Sequence, residues 1–153
     1  MTTTTISSRH QCSALSAVSA GGRAFSTPLE HGPLAPAAAR QAVRPVLEAW
    51  GLGEDRVYEM LLVISELVTN AVLHALPPIV LHLHGSVDSS GQIQVHVTDG
   101  GPRTGTDLGS WAASRPEGEH GRGGQIISAL AKRTKIDIDL DGLVDHWADL
   151  DAA

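Results

Sequence analysis

Glu66 and Asn70 stand four residues apart in the longest helical pattern of the sequence, which places one above the other on a single helix face. At about 100° per residue, Val57, Leu61, Ile64, Val68, Ala71 and Ala75 gather into one stripe. The polar pair falls on roughly the opposite side, beside Leu62, Val63 and Leu73. A solvent-facing surface would carry Lys, Glu and Gln there. A carboxylate and an amide among Leu and Val suit the floor of a pocket, because a buried carboxylate is costly unless it is paired or acts on something. An amide oxygen can hold Mg²⁺ together with waters, and a carboxylate can take a proton from an attacking hydroxyl. From spacing alone, a polar bridge from helix to sheet is the commoner explanation of such a pair.

Two further stretches have chemical content. Asp99-Gly100-Gly101 puts an acceptor at a strand end, followed by backbone that a flat ligand can approach closely. Gly121-Arg122-Gly123-Gly124 precedes a helix, and glycine-rich backbone at a helix N-terminus suits an anion. No Gly-Lys-Ser/Thr follows, so it is not the Walker pattern, and no parallel βαβ unit surrounds it.

The elements that must position these residues are legible in order. Residues 1–24, rich in Ser, Thr, Ala and Gly, read as a disordered tail before a domain over 25–153. Arg23 to Leu29 suits an edge strand ended by Pro28. Ala35 to Trp50 reads as a helix with Pro36 in its first turn, a kink or displaced start signalled by Pro45, and a glycine cap at Gly51 to Gly53. Glu54 to Leu76 is the long helix, stopped by Pro77-Pro78. Ile79 to Val87 and Gln92 to Thr98 alternate as strands about a turn at Asp88 to Gly91. Residues 100–120 form a long Gly-, Pro- and charge-rich connection, of the length that functional lids have. Gln125 to Lys132 reads as a helix, and Thr134 to Leu140 and Leu143 to Leu150 as strands. Tight turns make consecutive strands antiparallel, and helices would cover one face of the sheet in an α+β sandwich.

Composition narrows the function. The 153 residues have 42 % hydrophobic and only 3 % aromatic side chains, so the core must be aliphatic. A net charge of −6 without a basic run argues against nucleic-acid binding. The one cysteine, Cys12, fits a reducing compartment. The sequence suggests no apolar run of membrane-spanning length and no signal peptide, so a cytoplasmic protein without membrane contact is expected.

Taken in order, Glu66-Leu67-Val68-Thr69-Asn70-Ala71-Val72-x-His74-Ala75, Asp99-x-Gly101 and His120-Gly121-Arg122-Gly123 resemble the N, G1 and G2 boxes of the GHKL ATP-binding fold. The chain is most similar to the small bacterial anti-sigma-factor serine/threonine kinases of RsbW and SpoIIAB type, over about Phe25 to Leu150. The resemblance implies a GHKL (Bergerat) two-layer sandwich with a mixed, mainly antiparallel sheet and an ATP lid over residues 100–120. It implies ATP and Mg²⁺, with Asn70 on the metal that bridges the phosphates and Glu66 as general base toward a partner's serine or threonine. Asp99 would accept from the adenine amino group and Gly101 would line the base. Gly121, Gly123 and Gly124 would serve the phosphates. Arg122, with Arg115 or His120, would stabilise charge on the transferring phosphoryl group.

The partner implied is a sigma factor or an anti-anti-sigma-like antagonist, and the helix pair could also form a homodimer surface. The chain departs from the pattern at Arg103, in place of a second glycine, and at Gly124, in place of a hydrophobic residue. It departs again at Asp145, in place of a threonine near the adenine-binding aspartate, which would set two acidic groups by one base edge. The alternative is therefore a nucleotide-binding or degenerate module that sequesters a partner without phosphorylating it. A second alternative is a zinc site built on His82, His84 and His96, for which solvent-face histidines are the commoner explanation.

Overall fold

A computed structural model describes residues 22–86, 91–103 and 122–152. Its central element is the helix Glu54–His74, designated α2. Gly53 precedes it in extended conformation, and Glu54 and Asp55 in the first turn complement the positive end of the helix dipole. Val57, Met60, Leu61, Val63, Ile64, Leu67, Val68 and Ala71 are buried. Each fully buried aliphatic side chain of this kind contributes roughly 1.5–3 kcal/mol, so this face fixes the helix on the sheet. The buried arc is about 160° wide, broader than the sequence stripe, because α2 also packs against both other helices. This burial explains a composition that departs from expectation. Glu54–His74 does have the length and mean hydropathy, 1.3, of a membrane-crossing helix.

Helix α1, Ala35–Ala49, buries Ala35, Ala39, Val43 and Leu47 against α2. It ends in a Schellman arrangement. Leu52 N–H reaches the Leu47 carbonyl at 3.2 Å and Gly51 N–H the Glu48 carbonyl at 3.0 Å, with Gly51 at φ 87°. The helix runs through Pro45, which sits on its exposed side, where water can serve the carbonyl left by the missing N–H.

Five strands form one sheet: β1 Gly22–Leu29, β2 Ile79–Ser86, β3 Gln92–Asp99, β4 Arg133–Ile138 and β5 Val144–Asp151. Their order is β1-β2-β3-β5-β4, and each neighbouring pair is antiparallel rather than mixed. β1 continues through Pro28, which an edge strand tolerates. Strict alternation turns Ile79, Leu81, Leu83, Ile93, Val95, Val97, Val144, Ala148 and Leu150 toward the helices. Helix α3, Arg122–Leu130, lies on α2 and buries Ile127. It starts three residues earlier than its sequence pattern suggests, so Gly123 and Gly124 belong to its first turn. β4 ends at Ile138, and Leu140 lies fully exposed in the following turn. Of the expected tail over 1–24, residues 1–21 lie outside the described residues, while 22–24 open β1; of the expected turn over 88–91 only Gly91, and of the expected lid over 100–120 only 100–103, are described.

Candidate nucleotide site

Glu66 and Asn70 are both half-buried. They sit on the flank of the buried arc of α2, next to Val63 and Leu67, rather than opposite the core. Four residues after Asn70 the helix ends, and its last turn is laced to the segment that follows β3. Leu76 N–H reaches the Gly101 carbonyl at 2.8 Å, and Gly100 N–H reaches the Leu76 carbonyl at 2.7 Å. Ala75 and Pro102 form an isolated antiparallel bridge. Arg103 completes the lacing. Its N–H donates to the His74 carbonyl at 3.1 Å, and its guanidinium donates to the carbonyls of Val72 at 3.2 Å and Ala75 at 3.4 Å. A cation on the last carbonyls of a helix is favoured by both the unpaired oxygens and the dipole. His31 Nε2 also reaches the Ala75 carbonyl, at 2.8 Å.

This lacing joins the helix that bears Glu66 and Asn70 to Asp99 and Gly101. Asp99 continues the inward face of β3 and is fully buried. Its Oδ1 accepts the Gly101 N–H at 2.8 Å, with Gly101 at φ 90°, a conformation suited to glycine. Its Oδ2 lies 3.0 Å from His146 Nε2. The contact does not meet hydrogen-bond geometry, so among the described residues Oδ2 is a buried carboxylate oxygen with no well-directed donor. A group with an N–H to offer, such as an amino group on a base, suits that atom.

The expectation that Asp145 stands beside Asp99 is overturned. Asp145 pairs in register with Thr98 and lies on the opposite sheet face, where its carboxylate meets His96 Nδ1 at 2.8 Å and Thr98 Oγ1 at 3.3 Å. The residue of β5 that faces Asp99 is His146, 9 % exposed. Sequence reasoning passed over it. The signal was there in the alternation of Val144, His146, Ala148 and Leu150, which puts all four on one face.

Arg115, His120 and Gly121 lie outside the described residues. Arg122, Gly123 and Gly124 form the first turn of α3, whose backbone N–H groups have no helical acceptor of their own. Among the described residues, a side chain at Gly124 would meet nothing within 4 Å. On the helix-free sheet face His82, His84, His96 and Trp147 follow one another ring to ring. Their centroids are 6.5, 5.2 and 6.0 Å apart, and His82 Nδ1 lies 2.6 Å from Ser26 Oγ. Among the described residues no group of three or more His, Cys, Asp or Glu side chains is placed to hold a metal ion, so the zinc alternative finds no ligand set.

A helix carrying a carboxylate and an amide, laced to an Asp-Gly strand end under an antiparallel sheet, is the arrangement of an ATP-binding sandwich. Residues 32–143 match the family model of the histidine kinase-like ATPase domain, and the chain belongs to that family. Among solved structures it is similar to the RsbU and RsbW domains of Rv1364c from Mycobacterium tuberculosis, with a TM-score of 0.62 and 19 % identity. That likeness covers 84 % of this chain and 32 % of the other, so the chain spans about a third of that protein's length, and at this identity the likeness speaks for the fold. No curated protein matches the chain.

Proposed function

We propose that the chain binds Mg-ATP and phosphorylates a serine or threonine of a partner regulator, in the manner of an anti-sigma-factor kinase. The observation that carries this reading is Asp99. One oxygen of a fully buried carboxylate is held by Gly101, and the other is left as an acceptor beside the end of the helix that bears Glu66 and Asn70. Burying such an oxygen with only the His146 imidazole beside it and no hydrogen bond is costly, and an adenine amino group would satisfy it.

The donor set suits the rest of the nucleotide. Mg²⁺ needs few protein oxygens when phosphates and water supply the others, so Asn70 would suffice on the protein side. Backbone N–H groups of Arg122, Gly123 and Gly124 would face the phosphates, along with Gly121. Arg122, Arg115 and His120 would supply positive charge to the transferring group. Glu66 would accept the proton of the partner's hydroxyl as its oxygen bonds to the γ-phosphorus and the bond to the bridging oxygen breaks, releasing ADP. Such a reaction depends mainly on positioning and electrostatics. The chain also fits a partner-binding role, with a sigma factor or an anti-anti-sigma-like antagonist as the expected class.

The test is incubation with labelled ATP, Mg²⁺ and candidate antagonist proteins. Label is expected on a serine or threonine of the partner. Bound ATP with no protein phosphorylated by the wild type, even with its true partner, would replace this reading with that of a sequestering module. Asn70→Ala should abolish Mg-ATP binding while the fold persists, because Asn70 lies outside the buried core. Unchanged affinity would remove Asn70 from the site.

A further inference from the structure

We infer that β4 is a self-association edge, on which a second copy of this chain pairs antiparallel about a two-fold axis at Ile136. Among the described residues β1 and β4 are the two edges of the sheet. β1 carries Pro28, a residue that blunts an edge against further pairing. β4, Arg133–Ile138, has no proline. Just past its end, Asp139 N–H bonds to the Leu143 carbonyl at 2.9 Å, which continues the register of Ile138 with Val144. Antiparallel residues alternate between those that bond to a given neighbour and those that do not, so Asp137 and Lys135 also spend their backbone groups on β5. The N–H and C=O groups of Thr134, Ile136 and Ile138 then point out of the sheet edge, where an incoming strand meets them.

The side chains of this edge are self-complementary. Lys135 and Asp137 lie in register with Trp147 and Asp145 on the helix-free face, on either side of Ile136. They are 58 % and 51 % exposed and pair with each other at 3.0 Å. With the axis at Ile136, each Lys135 stands directly opposite Asp137 of the other copy, so all four charges face an opposite one across the seam. Other axes set like charges together. An axis at Lys135 or at Asp137 opposes each residue to its own copy. One at Thr134 opposes Lys135 to Arg133, and one at Ile138 opposes Asp137 to Asp139. On the helix side, the favoured pairing sets Ile136 beside Ile136 and Thr134 beside Ile138. That extends the apolar face and covers Ile138, which is 48 % exposed in the single chain. The pairing does not depend on the nucleotide reading.

The experiment is analytical ultracentrifugation of the full chain from about 10 μM to about 1 mM, over which the wild type should show a monomer–dimer equilibrium. Lys135→Glu and Asp137→Lys each oppose like charges and should weaken the dimer about tenfold. An equimolar mixture of the two variants should recover the wild-type affinity, because every charge across the seam then faces its opposite on the other variant. A wild type that stays monomeric, a dimer that neither variant weakens, or a mixture no tighter than its components would overturn the inference. If a variant does not fold, as judged by circular dichroism, amide hydrogen exchange of the wild type decides. The Ile136 N–H should exchange more slowly at high protein concentration than at low, and exchange that is independent of concentration would overturn the pairing.

Discussion

Gly100 lies directly against the end of α2. Its N–H donates to the Leu76 carbonyl at 2.7 Å, and a Cβ built on it would stand 2.8 Å from that same oxygen and in steric overlap with the Pro77 carbonyl oxygen. Both neighbours are backbone and cannot swing away. Gly100→Ala should therefore unlace β3 from α2 and destabilise the protein by about 1–3 kcal/mol, the range of an overpacked site. Chemical denaturation measures this directly. Nucleotide affinity should fall as well, since Asp99 and Gly101 depend on the same contact.

The other glycine of interest predicts the opposite sign. Gly124 sits in the first turn of α3, and no described residue lies where a side chain would project. Gly124→Ala should raise stability by up to about 1 kcal/mol, through helix propensity and reduced freedom of the unfolded chain. ATP affinity should be unchanged, because a phosphate contact there would be made by backbone N–H. An increase in melting temperature with unaltered ATP titration is the expected result.

These two glycines illustrate what was legible in the sequence. The period of α2 and the alternation of β2 and β3 were plain, because each buries a continuous face. The start of α3 was not, since three residues of Gly-Arg-Gly composition read as a loop, yet a helix's first turn needs no internal acceptors for its N–H groups. β4 misled in another way. The strand expected to reach Leu140 stops at Ile138, and β4 is an edge strand, with Ile138 about half exposed and Leu140 in a turn. The place of Asp145 could not be settled from a motif, because a shift of one residue changes the sheet face and only pairing with β3 fixes it. That pairing sets His146, not Asp145, beside Asp99. Arg103, a departure from the family pattern, proved to be a cap on α2.

The chemistry proposed for Glu66 separates from binding. Glu66→Gln preserves size and helix propensity and removes the base. The variant should bind Mg-ATP about as tightly as the wild type while phosphoryl transfer to the partner falls about 10²–10⁴-fold. Loss of binding in parallel with transfer would mean that Glu66 holds the site together instead.

Asp149 gives a stability test away from the site. It is fully buried, and its Oδ2 accepts from Arg133 Nε at 3.0 Å and from the terminal guanidinium nitrogen at 2.7 Å, while Oδ1 has no hydrogen bond among the described residues. Arg133 itself is mostly exposed, so the pair is partly screened. Arg133→Ala leaves a buried carboxylate without its cation and should cost about 1–3 kcal/mol in a denaturant titration. Arg133→Lys should restore only part, because a single ammonium cannot place two donors on one oxygen in this way.

The histidine row on the open sheet face makes stability depend on pH. Burial holds the His84 imidazole below its ordinary value of 6.5, His96 lowers it further, and Asp145 opposes both. The folded protein therefore takes up this proton less readily than the unfolded chain does. The contribution of His84 to stability is complete above about pH 6.5, the unfolded value. It declines as pH falls from there through the lower folded value, below which both states are protonated and the dependence flattens. The neighbouring charged groups on this face, Asp145 beside His96 and the Lys135–Asp137 pair beside Trp147, are expected to shape the remaining slope. Denaturant midpoints measured between pH 5 and pH 8 should drop on the acid side for the wild type. His84→Gln, which cannot take up a proton, should flatten part of that drop. A variant with the same acid slope as the wild type would show that His84 is not the group responsible.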